Sequence, residues 1–395
     1  MNKYNFDKVV NRENTGCVKW DFRTRCNEKA SKDGLPLWIA DMDFECAQPI
    51  IEALHKRIDH KVFGYSSNDT KEYKESVYNW YKKRLDFEID KENIFYSPGV
   101  VPAIAALINI LTDEGDKVII QKPVYHPFEA KVENNNREVI NNSLKYDGKS
   151  YKIDFEDLQE KAKDSKAKIM LLCSPHNPVG RVWKKEELRK VIDICKSNNL
   201  WIISDEIHCD LIRNGYKHIP TQKVGYDYKD KIITCTAPSK TFNLAGMHLS
   251  NIIINNKELQ KKWEFEIKEK LDIGTPSPFA IVSTIAGYNE CEDWIDELNK
   301  YLDNNMEFID KYLKENLPKV KLVKPEGTYL AWLDFNEYGF NEIELEDLMF
   351  KKANVLFNQG DGFGKEGRGF VRVNTACPLS TIKEAMQRIK DALEI

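Results

Sequence analysis

Between about residues 95 and 255, short runs of branched apolar residues alternate with segments of helical periodicity. That alternation points to a parallel sheet with crossover helices. The runs Lys117 to Ile120, Lys168 to Leu172, Leu200 to Ile203, Lys231 to Cys235 and Asn251 to Ile254 read as strands. Between the second and third, Glu186 to Asn198 sets Leu188, Val191, Ile192 and Cys195 at helical spacing, the apolar stripe of a crossover helix. Past Thr275-Pro-Ser-Pro278, where two prolines stop a continuing helix, the period is helical from roughly 280 to 315. Lys321 to Asn336 and Val355 to Asn374 then read as strands around glycine-rich turns, and a last helix starts at Thr381.

A chain of 395 residues is longer than the roughly 250 to 300 at which single cores stop growing. We therefore expect an α/β fold in two parts: a large domain, 46–285, with a mainly parallel sheet flanked by helices, and a smaller α+β domain formed by 1–45 and 286–395. A balance of 59 basic and 63 acidic residues leaves no electrostatic footprint for nucleic acid or an anionic membrane, which favours small-molecule work. The nine cysteines are scattered without a Cys-x-x-Cys pair or clustering with histidine, as expected of reduced thiols in a cytoplasmic protein with no metal site. The polar start lacks the apolar stretch of a signal peptide, and the most apolar segment, Val100 to Leu111, is too short to cross a bilayer.

Three of the strand candidates end in unusual polar residues: Cys173-Ser-Pro-His-Asn-Pro-Val-Gly180, Ser204-Asp-Glu-Ile-His208, and Thr236-Ala-Pro-Ser-Lys240-Thr-Phe-Asn-Leu-Ala-Gly246. Open α/β sheets bind ligands at the carboxyl ends of their strands, so an amide, a carboxylate and a lysine would converge on one edge. Pyridoxal 5'-phosphate chemistry calls for this set. Lys240 would hold the cofactor as a Schiff base and, once freed by the substrate's amine, take the α-proton. Asp205 would keep the ring nitrogen protonated, and Asn177 would donate to the ring hydroxyl oxygen. Singly, such a lysine is a solvated side chain and such an aspartate a helix cap; the signal is their co-occurrence.

These segments resemble the fold-type I pyridoxal-phosphate superfamily, aminotransferase class I/II, over almost the whole chain. The chain looks most like the cystathionine β-lyase, or C-S lyase, branch through Lys19-Trp-Asp21, Pro36-Leu-Trp-Ile-Ala-Asp-Met-Asp-Phe44, Phe63-Gly-Tyr65, Ser97-Pro-Gly-Val-Val101, Asp205-Glu-Ile-His208 and Arg372-Val-Asn-Thr-Ala-Cys-Pro378. The resemblance implies further roles. Tyr125 would stack on the cofactor ring, Val100 and Val101 at a helix start would hold the phosphate through backbone N–H groups, and Ser239 would add a hydroxyl. Tyr65 would reach that phosphate from the neighbouring subunit of a homodimer with shared active sites. Arg372, assisted by Asn177, would take the substrate's α-carboxylate as a bidentate pair, whereas Arg368 is read as an exposed strand arginine. Trp38 to Asp43 would form a lip over the site, without residue roles assigned.

Two positions depart from the wider superfamily. His208 stands where many of its aminotransferases carry a tyrosine, which favours the lyase branch, and His248 stands where many members place an arginine on the phosphate. Gly362-Phe-Gly-Lys-Glu-Gly367 has the letters of a dinucleotide fingerprint, but a strand is expected after it where the motif requires a helix, so no NAD is expected. The implied reaction is β-elimination from cystathionine, cysteine or related S-conjugates to thiol, pyruvate and ammonia. Transamination is the alternative, and a transcription-regulatory role through the surface a further one.

Overall fold

In the computed structural model, which describes residues 3–394, the apolar runs form one seven-stranded sheet. Its strands in chain order are β1 (Ile94–Ser97), β2 (Lys117–Ile120), β3 (Glu138–Asn141), β4 (Ala167–Cys173), β5 (Trp201–Asp205), β6 (Ile232–Thr236) and β7 (Ser250–Ile253). Their order across the sheet is β1-β7-β6-β5-β4-β2-β3. From β6 to β3 every neighbour is parallel, while β7 runs antiparallel to both β6 and β1. The strand expected at 251–254 is thus present but reversed. The connection from β6 to β7 holds only the four-residue helix Pro238–Thr241 and one further turn, too little for a parallel crossover. Two strands, β1 and β3, were not anticipated. One of the two edge strands, β3, has no buried residue and begins and ends on Glu138 and Asn141, so it carries little apolar signal.

The central strands read as continuous apolar runs because both faces of the sheet are covered. Ile169, Leu171 and Ile203 pack with Ala103, Ile104 and Leu107 of the helix Val100–Leu111, whereas Met170, Leu172 and Ile202 pack with Leu188, Val191, Ile192 and Cys195 of the helix Lys185–Ser197. In chain order we label the main helices α1 (Gln48–Asp59), α2 (Lys71–Leu85), α3 (Val100–Leu111), α4 (Lys185–Ser197), α5 (Pro278–Glu290), α6 (Glu292–Asn316) and α7 (Leu379–Leu393). The single helix expected from 280 to 315 is two helices that meet at Cys291, whose φ of −115° and ψ of 26° interrupt the helical path. The break lets α5 pack on α1 and α2 while α6 continues to α7 and the smaller sheet. No helix among the described residues is long and apolar enough to cross a membrane.

The smaller sheet comprises β8 (Lys321–Val323), β9 (Leu330–Asp334), β10 (Asn358–Gln359) and β11 (Phe370–Asn374), in the antiparallel order β8-β9-β11-β10. Leu35–Pro36 adds a parallel two-residue pairing with Val355–Leu356, while Phe6, Met42 and Phe44 pack with α6 residues Trp294 and Leu298. Val323, Trp332, Phe363 and Phe370 share one apolar cluster with Leu172 and Trp183, which joins the two sheets' layers. Trp332 stacks on Phe370 at 5.1 Å and donates its indole N–H to the Tyr151 hydroxyl at 3.1 Å. Replacing Trp332 with alanine is expected to cost about 3–5 kcal/mol of stability, measured by denaturant unfolding of the cofactor-free protein.

Candidate active site

The registers Cys173↔Asp205 and Asp205↔Cys235 put the carboxyl ends of β4, β5 and β6 side by side. The amide, carboxylate and lysine singled out in the sequence leave from those three ends. Asp205 closes β5. Lys240 lies on the helix Pro238–Thr241 just past β6, and Asn177 lies on the loop after β4. That loop is pinned by Arg181, which pairs with Glu187 at 2.8 Å and Glu326 at 2.9 Å, and by the Trp183 indole donating to Cys173 O at 2.9 Å. Tyr125 is tied to the same loop, its backbone N–H donating to Asn177 O at 3.0 Å.

From the smaller sheet, β11 alternates: Val371 and Val373 enter that sheet's core, while Arg372 and Asn374 reach the segment 38–41. Arg372 is buried. It donates to Asn177 Oδ1 at 3.1 Å, Asn358 Oδ1 at 2.6 Å and Trp38 O at 3.0 Å, and lies 4.9 Å from the Phe363 ring centroid. Its Nε has no partner, and no carboxylate pairs with it among the described residues. Asn374 Nδ2 donates to Ile39 O and Asp41 O, each at 2.6 Å, while Ala40 O accepts from Lys240 Nζ at 2.5 Å and from the Tyr329 hydroxyl at 2.7 Å. The expected lip is therefore a strap whose successive carbonyls bind Arg372, Asn374 and Lys240. Arg12 and Lys19 anchor its far end, Arg12 on Asp41 at 2.7 Å and Lys19 on Asp43 at 2.6 Å.

Burial sets the electrostatics. It pushes the Asp205 carboxyl up to about 7, against the pull of the Ile207 N–H and the charge of Lys240. It pulls the Lys240 amine down to about 8; Arg372 acts in the same direction, and Asp41 and Asp205 oppose it. Arg372 is drawn down to about 10 by burial and remains cationic at neutral pH. His208 is held well below the usual imidazole range by burial and by the charges of Lys240 and Arg372, so its ring is neutral; its Nδ1 is buried without a partner. A lysine with this depressed titration is half free amine near pH 8. The rate at which Lys240 condenses with a simple aldehyde is expected to rise with pH and level off above about 8, whereas exposed lysines gain until about 10.4. Peptide mapping after borohydride reduction measures both.

The remaining expected residues fall into two groups. Val100 and Val101 begin α3 after Gly99, where the first backbone N–H groups have no helical acceptor. Ser239 is part-buried one residue before Lys240, and the His208 ring meets Tyr329 edge to face at 5.7 Å. Tyr65, by contrast, is wholly exposed within the chain, 100% accessible, so one chain does not bring it into this site. His248 is also exposed; its carbonyl accepts from the Tyr96 hydroxyl at 3.2 Å. Arg368 is exposed and paired with Glu342 at 2.8 Å. The glycine motif at 362–367 forms short turns that lead into β11 rather than a helix. There the backbones of Gly360 and Gly367 approach so closely that a Cβ on Gly360 would lie 1.9 Å from Gly367 O. No cluster of metal-ligating side chains occurs among the described residues.

Tyr329, Asn358, Asn374, Phe363 and the Ala40 carbonyl were not assigned roles from the sequence. Asn374 could have been, since it lies two residues from Arg372 and so on the same strand face. What the assembled site offers is a buried carboxyl and a buried guanidinium, neither in an ion pair among the described residues, whose charges both act on an amine biased toward its neutral form.

A profile described as aminotransferase class I and II matches residues 32–389. The chain is 41% identical to the cystathionine beta-lyase PatB of Bacillus subtilis, over 98% of this chain and 100% of that protein. Cystalysin from Treponema denticola, whose crystal structure contains a pyridoxal 5'-phosphate cofactor, aligns with a TM-score of 0.95 at 40% identity over 99% of both chains. The PLP-bound C-S lyase from Staphylococcus hominis aligns with a TM-score of 0.93 at 36% identity, over 99% of this chain and 98% of that one.

Proposed function

Because the chain belongs to the aminotransferase class I and II family, we propose that it is a pyridoxal 5'-phosphate-dependent carbon-sulfur lyase, cleaving cystathionine, cysteine or related S-conjugates by β-elimination to thiol, pyruvate and ammonia. The observation that carries this reading is the convergence of Lys240 and Arg372 on one strap: an amine suited to attack an aldehyde, and a buried guanidinium left open for a carboxylate.

The residues present fit the cofactor on their own chemistry. Asp205 is a buried carboxyl with no ion-pair partner among the described residues, the match for a protonated ring nitrogen. Asn177 and the neutral His208, with a bare Nδ1, would meet the ring's polar edge, and Tyr125 its face. Val100, Val101 and Ser239 would hold the phosphate. Bound pyridoxal 5'-phosphate supplies the electron sink that stabilises negative charge at the substrate's α-carbon.

Arg372 binds and orients the α-carboxylate, which aims the α-hydrogen at Lys240. With the cofactor bound, Lys240 would hold its aldehyde and, as an amine biased toward its neutral form, would take the substrate's α-proton. The charge left at the α-carbon expels the thiolate from the β-carbon, and the aminoacrylate product hydrolyses to pyruvate and ammonia. Burial raises the Asp205 carboxyl, and a cationic ring nitrogen beside it would favour its ionised form, so that Asp205 would hold the proton on that nitrogen.

We place the large domain at 46–285 and the smaller one at 1–45 with 286–395, with the active site where they meet. A homodimer is part of the proposal. Tyr65 would reach the partner's phosphate site, and the exposure of Val62, Phe63 and Tyr65 on one segment supports that assignment. Nine cysteines, all free, accord with a reducing, cytoplasmic setting.

The test is a coupled assay on the holoenzyme with cystathionine and no keto acid added. Stoichiometric pyruvate and thiol support the lyase; turnover that depends on a keto-acid acceptor and yields no thiol makes the protein a transaminase.

A further inference from the structure

The carbonyl oxygen of Ala40 has two donors, Lys240 Nζ at 2.5 Å and the Tyr329 hydroxyl at 2.7 Å. Resting on the lyase reading above, we propose that Tyr329 is a positioning residue for Lys240: its hydroxyl fixes the Ala40 carbonyl, and that carbonyl steers the freed amine toward the substrate's α-proton.

Everything about Tyr329 is fixed. Its side chain is fully buried, its ring meets His208 edge to face, and its own carbonyl accepts from the Thr375 N–H at 2.9 Å and the Thr375 hydroxyl at 2.8 Å. Most buried hydroxyls find a hydrogen-bond partner, and this one finds it on the strap, 289 residues away in sequence. On either side Asn374 Nδ2 holds Ile39 O and Asp41 O, so the Ala40 carbonyl cannot rotate away. One of that oxygen's lone pairs is committed to Tyr329, and the other sets where Lys240 sits. A neutral amine that donates one N–H to Ala40 O points its lone pair away from the strap, and the ammonium formed after proton transfer keeps the same acceptor. Tyr329 is not the base. Burial raises its hydroxyl well above the usual range, Asp41 adding to this and Arg372 opposing it, so it remains a donor.

Removing the hydroxyl leaves the Ala40 oxygen with one donor and more negative charge toward Lys240. The other charged groups that face the amine, Asp41, Asp205 and Arg372, and the neutral His208, stay as they are. Tyr329→Phe keeps the ring against His208 and changes only that bond. In the cofactor-free protein, the pH midpoint for competitive acetylation of Lys240 by acetic anhydride, read by peptide mass, is expected to rise by about half to one unit, the size of one neutral hydrogen bond. In the holoenzyme, kcat is expected to fall roughly 10-fold or more with KM within about 2-fold, and the α-deuterium isotope effect on kcat to grow, because only proton removal has been slowed. An unchanged acetylation midpoint together with unchanged kcat overturns the proposal. The acetylation measurement involves no catalysis, so a parent protein that makes no pyruvate fails the lyase reading separately from this one.

Discussion

Lys240→Ala is expected to lower pyruvate formation by roughly 10⁴-fold or more. Loss of a positioned acid-base group alone accounts for about 10²- to 10⁴-fold, and the same side chain also anchors the cofactor covalently, so the effect lies at or beyond the upper end. Folding should survive. The side chain is an amine that burial already disfavours in its charged form, and its one hydrogen bond goes to a carbonyl that keeps Tyr329 as a donor. The expected signature is a thermal transition close to the parent's in the cofactor-free state together with activity at background, followed by the coupled pyruvate assay. Activity above about 1% of the parent would mean that another group takes the α-proton.

Arg372→Met carries the second largest effect. A bidentate guanidinium-carboxylate pair consists of two charge-assisted hydrogen bonds, each worth about 1.5–3 kcal/mol. Their loss is expected to lower kcat/KM roughly 10²- to 10⁴-fold. Arg372→Lys should recover only part of it, since an ammonium restores the charge without the fork. Stability should change little. Methionine leaves Asn177 Oδ1, Asn358 Oδ1 and Trp38 O without this donor, and against that loss it removes a buried charge that has no counter-ion among the described residues. A residue whose removal costs catalysis and spares the fold marks a site shaped for a ligand. Measuring kcat/KM for the substrate and for its α-carboxamide separates the roles: the amide should be a poor substrate for the parent and no poorer for the variant.

The parts of this site that could be read from the sequence are those tied to the sheet. β4, β5 and β6 are buried on both faces and appear as apolar runs, and the residues that follow each run must gather at the carboxyl edge because the strands are parallel neighbours. Asn177, Asp205 and Lys240 follow from that rule. Arg372 needed the family resemblance, since one arginine in a strand has no local mark of function. The strap's place was expected only through the resemblance, as a lip at Trp38 to Asp43, and its contacts had no readable signal. Its working groups are the carbonyls of Trp38, Ala40 and their neighbours, which every residue type possesses, and their donors Lys240, Tyr329 and Arg372 stand 200, 289 and 334 residues away along the chain. The reversal of β7 was hidden for a related reason: strand direction depends on the connection, and a run such as Ser250–Ile253 looks the same either way.

The most direct measurement of the central claim is the visible absorption spectrum of the protein reconstituted with pyridoxal 5'-phosphate, followed by borohydride reduction and peptide mass analysis. The account predicts a visible band that disappears on reduction, leaving the reduced cofactor attached to the peptide that contains Lys240. A colourless protein, or a label on any other lysine, would contradict it.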